Sequence, residues 1–546
     1  MTGYSSARYA ALAARAFILA SLVTLLLAML LAINAAPAAA ALDRQAPSTA
    51  DHEHFEELQG PFASGPEVTE ACLGCHTEAA KQLQATTHWT WEYMHPETRQ
   101  LLGKRHVVNS FCGSVTSNEP FCTSCHTGYG WDDMRQEPPT ADNRVDCLVC
   151  HDTTGSYWKS PTGAGHPAYE LPDPSDEDAR QPPDLAQVAQ HIGPTSKQNC
   201  GSCHFYGGGG DGVKHGDLDS SLINAPLSLD VHMSADGADF ACADCHTTSA
   251  HSVSGSRYLT TARDTQGIDV PGHTDFSRAS CESCHGDAPH QKTKLNDHVD
   301  QVACQSCHIP EFARGGVATK TWWDWSTAGR LGEDGEPLRI RDDDGHLEYL
   351  STKGNFRYGE NVVPEYRWFD GEVRYTLRSD SLDDSQQPIE INSVKGSHAD
   401  STSRIWPFKV MQGKQPYDPV NQHLLVNHVY SADDDTALWS NFDWAKALRA
   451  GTEYADQPYS GEFDFVETRM HWPITHMVAP SKDALACSEC HSRNGRLAAL
   501  TDFYLPARDR SVWLDRAGWS AALLVLVGSL AHAGGRIMTR RRRKRS

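Results

Sequence analysis

The sequence predicts a mainly α fold with much irregular structure, a small β-rich insertion and one C-terminal transmembrane helix. Three observations carry this reading: eight Cys-x-x-Cys-His units, 42 Gly with 29 Pro, and an uncharged run over residues 517–535. The units are Cys72/Cys75/His76, Cys122/Cys125/His126, Cys147/Cys150/His151, Cys200/Cys203/His204, Cys242/Cys245/His246, Cys281/Cys284/His285, Cys304/Cys307/His308 and Cys487/Cys490/His491. In this spacing two thiols add across the vinyl groups of one porphyrin, and the adjacent His becomes the proximal iron ligand. Eight repeats predict a multihaem c-type cytochrome with eight covalently bound haem c groups.

Paired Cys-x-x-Cys units also build zinc sites, but zinc does not require His directly after the second Cys. His is 28 of 546 residues, so eight such placements by chance are on the order of 10⁻¹⁰. Cysteines separated by two residues are also poor partners for structural disulfides in a chain this size. With about one porphyrin per 60 residues, the cofactors form much of the core. Short helices are expected near the units, joined by the irregular connections that Gly and Pro favour.

Both ends concern a membrane. Residues 1–41 hold Arg8 and Arg15, an apolar run over 17–33 and a small-residue stretch over 35–41. That is the layout of a secretory signal, with an uncleaved anchor as the alternative. Residues 517–535 contain no Asp, Glu, Lys or Arg, and a helix over 513–538 is long enough to cross a bilayer. The basic tail 539–546 marks the cytoplasmic side. The body is therefore expected at the periplasmic face of a bacterial inner membrane, where nucleic acid is not a partner. Without residues 1–41 and 536–546, it holds 39 basic against 70 acidic residues, a balance of −31. Such a surface favours basic electron-transfer partners.

The units divide the chain unevenly. Residues 42–310 hold seven, and 311–430 hold none. The latter stretch is rich in aromatics, at 322–325, 356–358 and 366–369, and its alternating segments with turn signals predict a β-rich part near 331–395. Residues 431–510 are expected to return to haem-domain helices, one of them amphipathic over 439–449, and to carry the eighth haem.

Distal ligands separate carriers from catalysts. A haem with two His ligands only passes electrons, whereas one with a weak or missing sixth ligand can bind substrate. The candidates near the units are His88, His215, His232, His251, His290, His298 and His476, with His95, His106, His166 and His471 also available.

Four stretches carry a family likeness: NEPFCTSCHTGYGW at 118–131, DCLVCHDTTG at 146–155, CGSCHFYGGGGDGVKHGDLD at 200–219 and WPITHMVAP at 472–480. They resemble the octahaem tetrathionate reductase family over nearly the whole exported body. The resemblance implies a haem arrangement similar to hydroxylamine oxidoreductase and the pentahaem nitrite reductases. It also implies a second haem with Lys on its distal side. Lys214, in the VKHGD segment, takes that role, with Lys159 as the alternative, and Asp211 stands three residues upstream to hydrogen-bond the amine. An amine must lose its proton to bind iron, which a desolvated pocket favours. Once displaced, it can attract an anion or donate a proton as an ammonium.

The seventeenth cysteine, Cys112, matches a family position beside the active haem, where a thiol could exchange with a sulfur–sulfur bond. The alternative is a small buried apolar residue. Asn109 and His106, following Lys104 and Arg105, would add donors and positive potential for an anion. The expectation is a reductase acting on a small inorganic anion or related compound: tetrathionate, nitrite or hydroxylamine. Electrons would come from a quinol-oxidising membrane cytochrome or a small soluble cytochrome. The alternatives are a non-catalytic electron conduit, or an oxidase of hydroxylamine or sulfur compounds.

Overall fold

Short helices, many of them at the attachment units, one nine-stranded sheet and three two-stranded ones are the regular elements of this computed structural model, which describes residues 50–108, 113–171, 180–268, 279–431 and 435–544. His52–Ser546 forms one unit; Met1–Asp51 forms another, of which only residues 50 and 51 are described. The signal reading therefore falls outside the described residues.

Two units end longer helices, α1 (Gly65–Leu73) and α2 (Lys197–His204). Ser196 opens α2 with a capping box: its hydroxyl accepts from the Asn199 amide at 3.2 Å, and Asn199 Oδ1 accepts from the Ser196 amide at 2.8 Å. Five other units lie on single helical turns, Leu148–His151, Cys242–Cys245, Glu282–His285, Cys304–His308 and Cys487–Cys490. The amides of His76, His151, His246, His285 and His491 donate to the carbonyl of their unit's first Cys at 2.8–3.1 Å. One such turn brings both thiols and the imidazole to one side, because residues three and four apart share a helix face. The second unit departs from this pattern. Cys122–Cys125 is a 3₁₀ turn, and the His126 amide donates to Thr123 instead, at 2.9 Å.

The sheet comprises β1 (Thr319–Asp324), β2 (Arg339–Arg341), β3 (Leu347–Leu350), β4 (Gly354–Gly359), β5 (Glu365–Phe369), β6 (Ile389–Glu390), β7 (Arg404–Asp418), β8 (His423–Leu424) and β9 (Asp464–Pro473). Its order is β6-β9-β7-β1-β4-β3-β2, with β5 and β8 also paired to β7. β7 runs antiparallel to β9 from Phe408↔Pro473 to Tyr417↔Asp464, and parallel to β1 at Gln412↔Trp322. The β-rich part thus begins before residue 331 and continues past 395. Its last strand lies where helices were expected, because Val466, Thr468, Met470 and Trp472 alternate onto one buried face.

The amphipathic helix is α3 (Trp444–Tyr454), a few residues later than expected. Asp443 caps it, accepting from the Lys446 amide at 3.1 Å. Trp444, Ala447, Leu448 and Gly451 form its buried stripe. A Cβ at Gly451 would lie 2.3 Å from the Val426 carbonyl, so only glycine permits this packing. Trp444 meets Trp325 with ring centres 5.9 Å apart, and Trp325 stacks on Trp323 at 4.7 Å. The motif-free region therefore has an ordinary apolar core of its own. Downstream, α4 (Val512–Arg543) is a 32-residue helix with mean hydropathy 1.5 over its apolar window and no buried residue. Its length and composition suit a bilayer span.

Candidate functional site

Six unit histidines face a second imidazole. The ring centres are 6.4 Å apart for His52 and His76, 6.2 Å for His88 and His204, and 6.0 Å for His232 and His285. They are 6.3 Å apart for His246 and His476, 5.9 Å for His290 and His308, and 6.0 Å for His298 and His491. An iron between two imidazoles needs ring centres about 6 Å apart, from bonds of about 2.0 Å plus about 1.1 Å from nitrogen to ring centre. The residues therefore fit the group at these six units. His251 lies within electrostatic reach of His151 and His76.

Several of these rings are oriented through Nδ1, which leaves Nε2 for a metal. Nδ1 of His151 meets the Gly193 carbonyl at 2.9 Å, that of His246 the Ser254 carbonyl at 2.9 Å, and that of His298 the Lys294 carbonyl at 2.8 Å. Nδ1 of His251 meets Gln82 Oε1 at 2.9 Å. Asp217 Oδ2 accepts from the amides of Thr475 and His476, at 2.8 and 3.0 Å, and stands 3.3 Å from His476 Nδ1.

The second unit is again different. Around His126 stand Trp89, Trp131 and Trp91, with ring centres 4.8, 4.9 and 5.4 Å away. Its Nε2 meets the Trp89 carbonyl at 2.8 Å, and its buried Nδ1 has no hydrogen-bond partner. Burial pushes His126 and His204 down to about 3, so both are neutral imidazoles. Asn118, fully buried, ties the segment before this unit to the sheet side. Its Nδ2 donates to the Asn427 carbonyl at 3.0 Å, and its Oδ1 accepts from the Val429 amide at 2.6 Å.

Lys214 Nζ lies 5.0 Å from the centre of the Trp472 ring, and the Arg257 guanidinium lies 4.7 Å from it. Burial, then the charges of Arg257 and Lys104, hold the Lys214 amine well below its ordinary value. Lys104 lies over Trp91 at 4.5 Å, and its charge reaches both His126 and Lys214. Lys159 also stands at this unit: it donates to the His126 carbonyl and pairs with buried Asp146 at 3.0 Å, so its amine is already engaged. Asp146 also accepts from Tyr129 at 2.8 Å and Tyr157 at 3.0 Å.

Other expected residues are placed differently. Asp211 does not bond Lys214; its carboxylate accepts from the Ser220 amide at 2.9 Å and from the Ser220 hydroxyl. His215 packs edge-on against Trp472 at 5.0 Å rather than opposite a unit histidine. His106 pairs with Glu92 at 2.8 Å. Cys112 and Asn109 lie outside the described residues. Sequence reading missed His52, Arg257 and Lys409. For His52 the available signal was a histidine pair, His52 and His54, shortly before the first unit.

The unit cysteines show which attachment sites adjoin. Cys72 meets Cys147, Cys125 meets Cys203, Cys200 meets Cys242, and Cys281 meets Cys304. Cys200 also lies within electrostatic reach of Cys150, Cys245 of Cys284, and Cys307 of Cys490. The sites therefore run second, fourth, fifth, sixth, seventh, eighth, with the first and third branching at the fourth.

Not every attachment thiol is covered by the polypeptide. Cys75 is exposed, as are Cys245, Cys284 and Cys487, whereas the other described unit cysteines are half-buried. The reason at Cys75 is local. It lies two residues beyond the end of α1, on a turn where its amide donates to the Cys72 carbonyl at 3.1 Å. Cys72, still on the helix, packs toward Cys147, so the first unit turns one thiol inward and the other outward.

Three family models match parts of the chain: cytochrome c554 and c-prime over 71–152, cytochrome c7 and related cytochrome c over 227–314, and bacterial cytochrome c over 320–494. An uncharacterized protein of Archaeoglobus fulgidus is 27% identical over 183 residues, 31% of this chain and 56% of that relative, so the match spans about half of it. The octahaem cytochrome c crystal structure from Shewanella oneidensis is similar at TM-score 0.70 and 39% identity, covering 84% of this chain and 97% of that one. With eight attachment units in place and nearly all of that solved cytochrome matched, the chain belongs to the octahaem c-type cytochrome family and carries covalently bound haem c.

Proposed function

We propose that this octahaem cytochrome is an exported reductase that acts on an oxidised sulfur or nitrogen compound, tetrathionate, nitrite or hydroxylamine, at the second unit. The haem groups supply electron transfer and the iron at which substrate is reduced. One observation carries the reading: six other unit histidines face a partner imidazole about 6 Å away, whereas His126 is walled by three tryptophans, the charges of Lys159 and Lys104 reach it, and Lys214 lies within electrostatic reach of Cys125 in the same unit.

Lys214, whose amine burial holds well below its ordinary value, would be the distal ligand there. Off the iron, Lys214 as an ammonium would hold an anion or give up a proton from Nζ. Lys104 and Arg257 add positive charge inside a body that is otherwise strongly acidic. The remaining distal ligands would be His52, His88, His232, His251, His290, His298 and His476. Electrons come from a quinol-linked membrane partner or a small basic cytochrome, and α4 anchors the body, with Arg540–Arg543 on the cytoplasmic side.

The test is a steady-state assay with reduced viologen against tetrathionate, nitrite and hydroxylamine, joined to an electron paramagnetic resonance and cyanide survey. Turnover of at least one compound, with cyanide binding at a single iron, is expected. Eight bis-histidine signals with no cyanide binding would replace this reading with that of an electron conduit. His52→Ala is a further check. It is expected to add one high-spin signal and one cyanide site, and an unchanged spectrum would remove His52 from the ligand set.

A further inference from the structure

We propose that Lys409, on β7, is a positioning residue for the amine of Lys214; the inference rests on the reading that Lys214 ligates the second haem. Lys409 is fully buried at 0% exposure, and its Nζ donates to the carbonyls of Val213 at 2.7 Å and Lys214 at 3.0 Å and to Thr319 Oγ1 at 2.5 Å. Burial holds Lys409 well below its ordinary value and the Asp217 charge opposes this. Three acceptors nonetheless match the three N–H bonds of an ammonium, and Thr319 Oγ1 accepts here because it donates to Gly212. Thr319, the first residue of β1, donates in turn to the Gly212 carbonyl at 2.7 Å. Three successive carbonyls, 212 to 214, are thus held from two adjacent strands of the sheet.

The segment needs such holding. It follows four glycines, 207–210, and contains Gly212 and Gly216 at φ +64° and +82°. Glycines populate the left-handed region freely, so without fixed partners for its carbonyls this turn would sample many conformations. An apolar side chain would fill the space of Lys409 without the cost of burying an ammonium. What the ammonium adds is a fixed path for residues 212–214, and with it the direction in which Lys214 leaves the backbone. Asp217, on the same turn, orients His476, so the sheet locates groups at the second and fifth units together.

The experiment is Lys409→Met in the full-length, haem-loaded protein, read by electron paramagnetic resonance and kcat beside Lys214→Leu. Lys409→Met is expected to alter the same haem signal as Lys214→Leu, to lower kcat by about 10- to 100-fold, and to add nothing in the Lys214→Leu background. An unaltered signal and kcat, or additive effects in the double variant, overturn the proposal. Lys214→Leu with every haem signal unchanged overturns the ligand reading itself. An unchanged Lys409→Met beside a changed Lys214→Leu overturns only the positioning role. Should Lys409→Met fail to fold, Thr319→Val removes the hydroxyl between Lys409 and Gly212 at nearly constant volume and carries the same expectations.

Discussion

Lys214→Leu is expected to lower kcat with reduced viologen by about 100-fold or more, the range lost with a positioned proton donor. Leucine fills the space under Trp472 but can neither ligate iron nor carry a proton. The spectrum of one haem is expected to change, because burial and the neighbouring charges of Arg257 and Lys104 hold the amine well below its ordinary value and so favour the free base that can ligate iron. Lys159→Met is the informative contrast. Its ammonium is paired with Asp146 at 3.0 Å, so its loss leaves a buried carboxylate supported by the Tyr129 and Tyr157 hydroxyls and the Val149 amide. That costs stability, with the Lys-ligated signal retained. If Lys159→Met removes the signal and Lys214→Leu does not, the ligand is Lys159.

The attachment units were legible because covalent chemistry fixes their spacing; one helical turn is all the structure they require. Spacing does not fix burial: Cys75 is exposed while Cys72 of the same unit is half-buried. The pairing of histidines was not legible, and the reason is geometric. A distal ligand approaches the porphyrin from the face opposite the unit's own helical turn, so a neighbouring histidine in sequence tends to serve another site. His251 follows His246 by five residues yet lies near His151, and His290 follows His285 by five yet faces His308. His298 precedes the seventh unit but faces His491 of the eighth. The sheet was partly hidden for a different reason. β7 carries Pro407, Lys409, Gln415 and Pro416, most of its positions are buried, and it shows neither alternation nor an apolar run. Prolines are ordinarily edge-strand residues, and the partners that satisfy Lys409 come from residues 213, 214 and 319. No local pattern signals contacts across that separation. β9 did carry its period-two pattern, and its position among expected helices masked it.

Arg404→Met is expected to destabilise the haem-loaded protein by about 3–5 kcal/mol, the cost of breaking a buried ion pair from one side. Arg404 opens β7 at 3% exposure, and its guanidinium pairs with Glu282 at 5% exposure. Glu282 lies inside the sixth unit, between its two attachment cysteines, so the pair ties the sheet to a haem site. Methionine would leave the Glu282 carboxylate with no cation and little water. The first consequence is a lower Tm with fewer haems per chain at equal expression, measured by pyridine haemochrome and thermal denaturation. The discriminating variant is the double replacement Arg404→Met with Glu282→Leu, which removes both charges. It is expected to recover most of the lost stability, because a well-packed apolar pair is often as stable as the ion pair it replaces. A double variant no more stable than Arg404→Met would show that Arg404 stabilises β7 through contacts other than Glu282. Full recovery would show that the sheet and the sixth unit meet through this charge pair.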